Sequence, residues 1–479
     1  MASTIATHPE VAPVVDLSPQ PRTVPGSGSE VPGRERFSLG DTQTSLLPRL
    51  DPDNTVFIAL SFEGPDGYSM AGGLGRRITE LTAALAEQGY ETHLYFIGDP
   101  NEPPVETYLH GKLNYHRWCT WISRHHPQGV YDGEEGKLAD FRSSVPGAII
   151  QQVIRPALSW GKRVIVLSEE WHTAATACDL SDALYYAGLR DQVLMLWNAN
   201  NTMGFENIDF ARLKFTHTLT TVSHWMKHVM WQYSCNPVVI PNGIPARMLV
   251  ENPLVNELVE RITSKLWHRV LLTKVARFDP DKRWLMAVEA TAGLKRAGLP
   301  ALLVARGGIE AHGLEVVDRA RALGLRIHEA HADGADPRRA VAAILESCAR
   351  ADVVDVRFPL TEPVLRAFFH ASDAVLANSG REPFGLVGLE VMASGGVAFT
   401  GATGEEYARA YENAIVLETD EPAEIEVAVA ELLAQPKLAE HIRRQACLTA
   451  ANCTWAHATE NLLRRCQFLG LAQGWGARP

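Results

Sequence analysis

Residues 379–400, S-G-R-E-P-F-G-L-V-G-L-E-V-M-A-S-G-G-V-A-F-T, constrain the fold more than any other stretch. The short apolar run 374–377 before them suits a buried strand. Asn378 and Ser379 follow, then a Pro-Phe-Gly turn, then the apolar run 386–393 with helical character. A second strand is expected at 397–399. The order is strand, tight turn, helix, strand. Such a helix start leaves several backbone N–H groups free, and the helix dipole favours an anion beside them. Two carboxylates, Glu382 and Glu390, flank this turn with seven residues between them. Eight helical residues span about 12 Å. Carboxylates at that separation suit the two ends of one extended ligand: sugar hydroxyls at either end and a diphosphate between.

The chain has 479 residues, too many for one ordinary core, so two domains are expected. Its 46% hydrophobic and 21% charged content fits a water-soluble globular protein. A net charge of −11 argues against a general nucleic-acid or anionic-membrane surface. No run of about 18 apolar residues marks a transmembrane helix, and the N-terminus lacks a basic start followed by an apolar core. A cytoplasmic protein is the resulting expectation. The seven cysteines, at 119, 178, 235, 348, 447, 453 and 466, form no Cys-x-x-Cys pair. They read as reduced thiols, and no metal site is expected.

Residues 1–48 are rich in Pro, Ser, Thr and Gly and read as a loosely ordered tail. A strand at 56–60 leads into S-F-E-G-P-D-G-Y-S-M-A-G-G-L-G and an amphipathic helix at 76–88, with Leu81, Ala84 and Leu85 on one stripe and Gly89 as its stop. A strand at 92–97 completes a unit of the doubly wound type. Gly72, Gly73 and Gly75 at the helix start permit close backbone approach. A bound phosphate and a plain tight turn are the two readings of such a cluster.

Trp118, Trp121, His125, His126 and Tyr131 crowd a loop-like region. They read either as a candidate acceptor surface or as core filling and ordinary loop histidines. The strand 163–167 ends in S-E-E-W-H-T, with Glu169 and His172 where open α/β sheets carry ligand sites. The strand 193–197 ends in Asn198 and further amides. Strands at 218–222 and 238–240 precede Pro241-Asn242-Gly243-Ile244-Pro245, and a domain boundary is placed near 250. The second half opens with the strand 270–275 and then Ala276-Arg277-Phe278-Asp279-Pro280-Asp281-Lys282. Arg supplies a planar fork for phosphate oxygens and Lys a compact point charge. Further strand and helix signals follow at 302–305 and 351–376, and helices at 422–434, 436–449 and 455–469.

The Glu-x7-Glu stretch resembles that of retaining GT-B glycosyltransferases, glycosyltransferase family 4, with glycogen and starch synthases nearby. Ala-Gly-Gly-Leu-Gly resembles the Gly-Gly-Leu-Gly loop of glycogen synthase-like enzymes, and Arg277 with Lys282 resembles the family's Gly-Arg-Leu-x3-Lys-Gly segment. The chain departs from the pattern at Val391, Gly396, Ala276 and Arg283, and at Glu169, where those enzymes have a His. The resemblance implies an α/β GT-B fold: two Rossmann-like domains across a cleft, 49–250 on the acceptor side and 251–450 binding a nucleotide sugar. The segment 451–479 supplies a helix that crosses back to the first domain.

It implies a hexosyltransferase moving a hexose, glucose favoured, from a nucleotide-diphosphate sugar to a carbohydrate or glycan hydroxyl. Arg277, Lys282 and Glu382 are the expected catalytic residues. Gly73, Leu74, Gly75, Phe384, Gly385, Leu386 and Glu390 are the expected donor-binding residues. Glu169, His172 and Asn198 are candidates for the acceptor or donor-sugar side. Catalysis without metal or cofactor is expected, and a homo-oligomer stays open. The alternatives are a nucleotide-sugar epimerase or phosphorylase-like enzyme on the same fold, or a non-catalytic donor-binding protein.

Overall fold

The strands are nearly continuous apolar runs, the pattern of sheets covered on both faces. In the computed structural model of the chain, residues 47–476 are described. The expected tail 1–48 lies almost wholly outside them, as do residues 477–479. The first sheet has eight strands: β1 (Thr55–Leu60), β2 (Glu91–Ile97), β3 (Val105–Tyr108), β4 (Leu113–Trp118), β5 (Arg163–Glu169), β6 (Val193–Ala199), β7 (Thr218–Thr221) and β8 (Val238–Val239). Their order is β3-β4-β2-β1-β5-β6-β7-β8. All pairings are parallel except β3 with β4.

The second sheet has seven strands: β9 (Val270–Val275), β10 (Ala301–Arg306), β11 (Ile327–Ala330), β12 (Val353–Val356), β13 (Ala374–Ala377), β14 (Ala398–Thr400) and β15 (Ile415–Val416). Their order is β11-β12-β10-β9-β13-β14-β15, all parallel. Both sheets belong to one compact unit.

Alternation along β1 divides the first core in two. Phe57 and Ala59 pack with Leu81 and Leu85 of the helix Gly73–Glu87 and with Trp455 and Leu462. Val56, Ile58 and Leu60 face the other way, onto Phe141, Ile149 and Leu180. The second sheet repeats the arrangement. Leu272 and Trp284 lie on one face, and Leu271, Ile344 and Phe368 on the other.

The last helix, Trp455–Ala472, packs on the helix Gly73–Glu87, so the chain ends on the first sheet. The chain therefore passes between the sheets twice, and the two passages are bonded together. Ile244 N–H donates to Cys453 O at 2.9 Å, and Trp455 N–H to Ile244 O at 3.0 Å. A Cβ on Gly243 would sit 2.4 Å from the Trp455 nitrogen. The glycine of the Pro-Asn-Gly segment thus serves close packing of the two passages, beyond any turn preference.

The region 100–131 differs from a simple loop. It holds the edge strand β3, the strand β4 ending at Trp118, and a short helix Thr120–Ser123. Weak alternation and short length concealed these elements. None of the seven cysteines is in a disulfide.

Trp455 is 4% exposed and holds the final helix against the first sheet. We expect Trp455→Ala to lower unfolding free energy by about 3–5 kcal/mol, read by urea denaturation, with the unfolding transition of the first-sheet core moving to lower urea.

Candidate active site

All parallel strands of a sheet end on one edge, and both edges here carry the polar residues singled out from sequence. At the second sheet, Gly385 adopts φ +79 and ψ 58, a left-handed conformation that glycine takes freely. The helix Leu386–Ala393 starts directly after it. The Tyr407 hydroxyl donates to Gly385 O and anchors the turn. The N–H groups of Phe384, Gly385 and Leu386 make no hydrogen bond to another described residue. Glu382 sits in the turn, and its Oε2 lies 3.0 Å from Lys282 Nζ. Glu390 is buried on the helix, and burial raises its pKa.

Arg277 is exposed and pairs with no carboxylate among the described residues. Its backbone is fixed, since Trp284 Nε1 donates to Arg277 O at 2.7 Å. Lys282 ends a 3-10 turn, Pro280–Lys282, which Asp279 caps through the Asp281 N–H at 2.9 Å. Arg283 then takes φ +51. This left-handed step explains why Gly is usual at the position, and Arg bears strain there. Its guanidinium pairs with Asp420 and lies against Gly380 and Gly401.

Lys274 escaped the sequence reading. It is fully buried beneath this loop, with Nζ donating to Leu376 O at 3.1 Å and to Asn378 Oδ1. Burial, with Lys282 and Arg283 nearby, pushes its pKa down to about 7. A lysine inside the apolar strand V-L-L-T-K-V was the available signal.

At the first sheet, the Gly loop differs from expectation. Glu63, just after β1, places Oε2 within 3.1 Å of Ala71 N–H, 2.9 Å of Gly72 N–H and 3.0 Å of Gly75 N–H. An internal carboxylate thus fills much of the anion site at this helix start. Gly75 is withdrawn from the expected set of diphosphate donors. Gly73 and Leu74 keep N–H groups without a described partner. The acidic residue of S-F-E-G-P was the overlooked signal.

Glu169 and Asn198 lie in a buried network and do not reach into the cleft. The Glu169 carboxylate is 1% exposed and accepts from Arg77 Nε at 3.2 Å, Asn198 Nδ2 at 2.9 Å and Asn200 Nδ2 at 2.8 Å. Arg77 also donates to Asn242. A buried charge needs this degree of satisfaction. His172 stacks on Phe62 with ring centroids 4.4 Å apart and on Trp171 at 4.0 Å. Its Nε2 lies 2.8 Å from Glu134 Oε1, and burial holds its pKa below the ordinary value. Tyr131 joins this aromatic group and donates to Glu63 Oε1 at 2.5 Å. Trp118 packs with its Nε1 on Ser144, Trp121 is exposed, and His126 pairs with Asp132. Between these elements lies Glu170, with φ +65. Its Oε1 accepts from Asn200 N–H at 2.6 Å, and its Oε2 is buried without a partner. Burial pushes its pKa up to about 8.

The two edges face each other, because Arg76 Nη2, at the start of the helix Gly73–Glu87, lies 2.8 Å from Glu390 Oε1. Among the described residues no group of His, Cys, Asp and Glu gathers with metal-ligand geometry, and no helix is long and apolar enough to cross a membrane.

Residues 260–448 match the family Glycosyl transferases group 1. That domain contains Arg277, Lys282, Glu382 and Glu390. The search of curated proteins gives no match. Solved structures share the GT-B fold at low identity. Sucrose-phosphate synthase from Thermosynechococcus elongatus aligns with TM-score 0.61 and 16% identity, over 87% of this chain and all (100%) of that one. An α,α-trehalose-phosphate synthase (UDP-forming) from Burkholderia xenovorans, in complex with glucose-6-phosphate, aligns at 0.59 and 11%, over 86% and 100%. HepE from Anabaena, in complex with UDP, aligns at 0.56 and 13%, over 86% and 99%. The two-domain α/β architecture with its returning helix is therefore the GT-B fold.

Glu170 yields a pH test. Its folded pKa is raised, so the folded state keeps a proton that the unfolded chain releases above about pH 4.5. Stability is consequently lost as pH rises from that point toward about 8. Glu170→Gln should stabilise the protein by about 1–3 kcal/mol at pH 8, with the gain vanishing near pH 4, measured by thermal unfolding across pH.

Proposed function

We propose that this protein is a retaining glycosyltransferase that moves a hexose, with glucose favoured, from a nucleotide-diphosphate sugar to a hydroxyl of a carbohydrate or glycan acceptor. The observation that carries this reading is the Lys282–Glu382 pair at 3.0 Å, inside a Glycosyl transferases group 1 domain. Beside it stand Arg277, which pairs with no carboxylate among the described residues, and the N–H groups of Phe384, Gly385 and Leu386, which bond to no described residue. Glu390 holds the donor ribose hydroxyls. Glu382 and the turn N–H groups hold the donor sugar. Arg277 and Lys282 receive the negative charge that builds on the diphosphate as the anomeric C–O bond breaks. The acceptor oxygen forms the new bond to the anomeric carbon, and its proton leaves with the departing diphosphate. These cations supply the charge stabilisation without a resident metal.

The UDP in HepE and the UDP-forming reaction of the trehalose-phosphate synthase favour a uridine donor. The first-sheet wall supplies the partly exposed Glu134 and the exposed Tyr131 ring. Carboxylates suit sugar hydroxyls, and aromatic faces suit the apolar side of a sugar ring. Glu169 and Asn198 act by holding Arg77 and the strand ends in place, and the buried His172 acts by holding Glu134.

The purified chain should release nucleotide from one of a panel of ADP-, UDP- and GDP-sugars, faster with one class of phosphorylated or unphosphorylated acceptor. Arg277→Ala and Lys282→Ala should each lower turnover by about 10²–10³, and Glu382→Ala should abolish it with cooperative unfolding retained. Release should be unchanged by EDTA. Equal turnover in wild type and Glu382→Ala would refute the site.

A further inference from the structure

Among the described residues, the cation that pairs with Glu390 comes from across the cleft. It is 5% exposed and sits on the second-sheet helix Leu386–Ala393. Arg76, whose side chain is 48% exposed, reaches it from the helix Gly73–Glu87 at 2.8 Å. Only Oε1 is engaged by this ion pair. The other charged groups facing Glu390 are acidic: Glu80 from the same helix as Arg76, Glu362 from the helix Glu362–Ala371, and Glu382 from the turn. Arg247, in the passage between the sheets, is occupied with two of them. It lies 2.6 Å from Glu80 and 3.1 Å from Glu362. Among the described residues Arg76 is therefore the cation that opposes the rise in the Glu390 pKa caused by burial and by three acidic neighbours.

We infer that Arg76 is a positioning residue for donor binding, supplied by the first domain to a carboxylate of the second. Resting on the reading of Glu390 as the ribose ligand, the inference deepens that reading. Arg76 holds Oε1, which orients the carboxylate and leaves Oε2 to accept from donor hydroxyls. An ionised carboxylate accepts such bonds more strongly than a neutral acid. The donor site is then complete only when the cleft is closed, because one of its supports stands on the far side. Closing the cleft and recognising the nucleotide become one event.

The test is calorimetric titration of UDP, ADP and GDP into the full chain as wild type, Arg76→Ala, Arg76→Lys, Glu390→Gln and the double variant Arg76→Ala with Glu390→Gln. Arg76 is half exposed, so its loss should leave the melting temperature within a few degrees, checked in parallel. Arg76→Ala should weaken nucleotide binding by about ten- to hundredfold, with Arg76→Lys recovering part of it. Raising the pH should strengthen binding more in Arg76→Ala than in wild type, since loss of Arg76 raises the Glu390 pKa further. In steady state, KM for the donor should rise more than kcat falls. In the Glu390→Gln background, removing Arg76 should have no further effect. Wild-type affinity or tighter in Arg76→Ala, with Glu390→Gln impaired, would overturn the inference and leave the proposed function standing. Wild-type affinity in Glu390→Gln would overturn both.

Discussion

A parallel sheet cannot be closed by hairpins. Each strand must be reached by a crossover that covers one face, and every strand then ends on the same edge. The whole site depends on this constraint. Glu63 follows β1, Glu169 ends β5 and Asn198 lies in β6, so three distant sequence segments meet on one edge. Arg277 follows β9 and Glu382 follows β13 on the second sheet in the same way. The paired passages at Ile244 and Cys453–Trp455 hold the two sheets in one unit. No single element carries the candidate site; it comes from two edges held opposite each other.

Burying charge in that cleft demands compensation, and the molecule meets the demand unevenly. Glu169 is fully satisfied by Arg77 and two amides. Glu63 is satisfied by backbone donors at a helix start, where the dipole also favours it. Lys274 has a carbonyl and an amide but no carboxylate in its shell, and its pKa falls accordingly. Glu170 has one partner for two oxygens and a raised pKa. Incompletely compensated groups cluster beside the expected ligand positions, which is where folded proteins tolerate them. The candidate residues of the first sheet divide along the same line. Glu169, Asn198 and His172 are buried among partners, while Tyr131 is exposed.

Much of the second half was legible. The helix Leu386–Ala393 begins and ends at the residues expected, because a glycine turn and an unbroken apolar run mark it locally. Arg277 follows β9 and Glu382 follows β13, so the strand pattern placed each at a strand end, while their roles came from the family resemblance. The region 100–131 was less legible, since edge strands are short and weakly patterned. The Gly loop was legible as a helix start, but the capture of the Gly75 N–H by Glu63 was not. Backbone donors look the same in sequence whether they face a bound anion or a side chain of the same protein.

The sequence by itself determined most of the strands and helices, that they alternate into doubly wound sheets, and which residues follow the main strand ends. Those properties are local: hydrophobic period, turn chemistry and chain direction. Only the tertiary structure decided which charges meet. Glu63 on Gly75, Arg77 on Glu169, Lys282 on Glu382 and Arg76 on Glu390 are pairs separated by between 12 and 314 positions. Coulomb energy and desolvation depend on distance and burial in space, and neither is written in sequence separation.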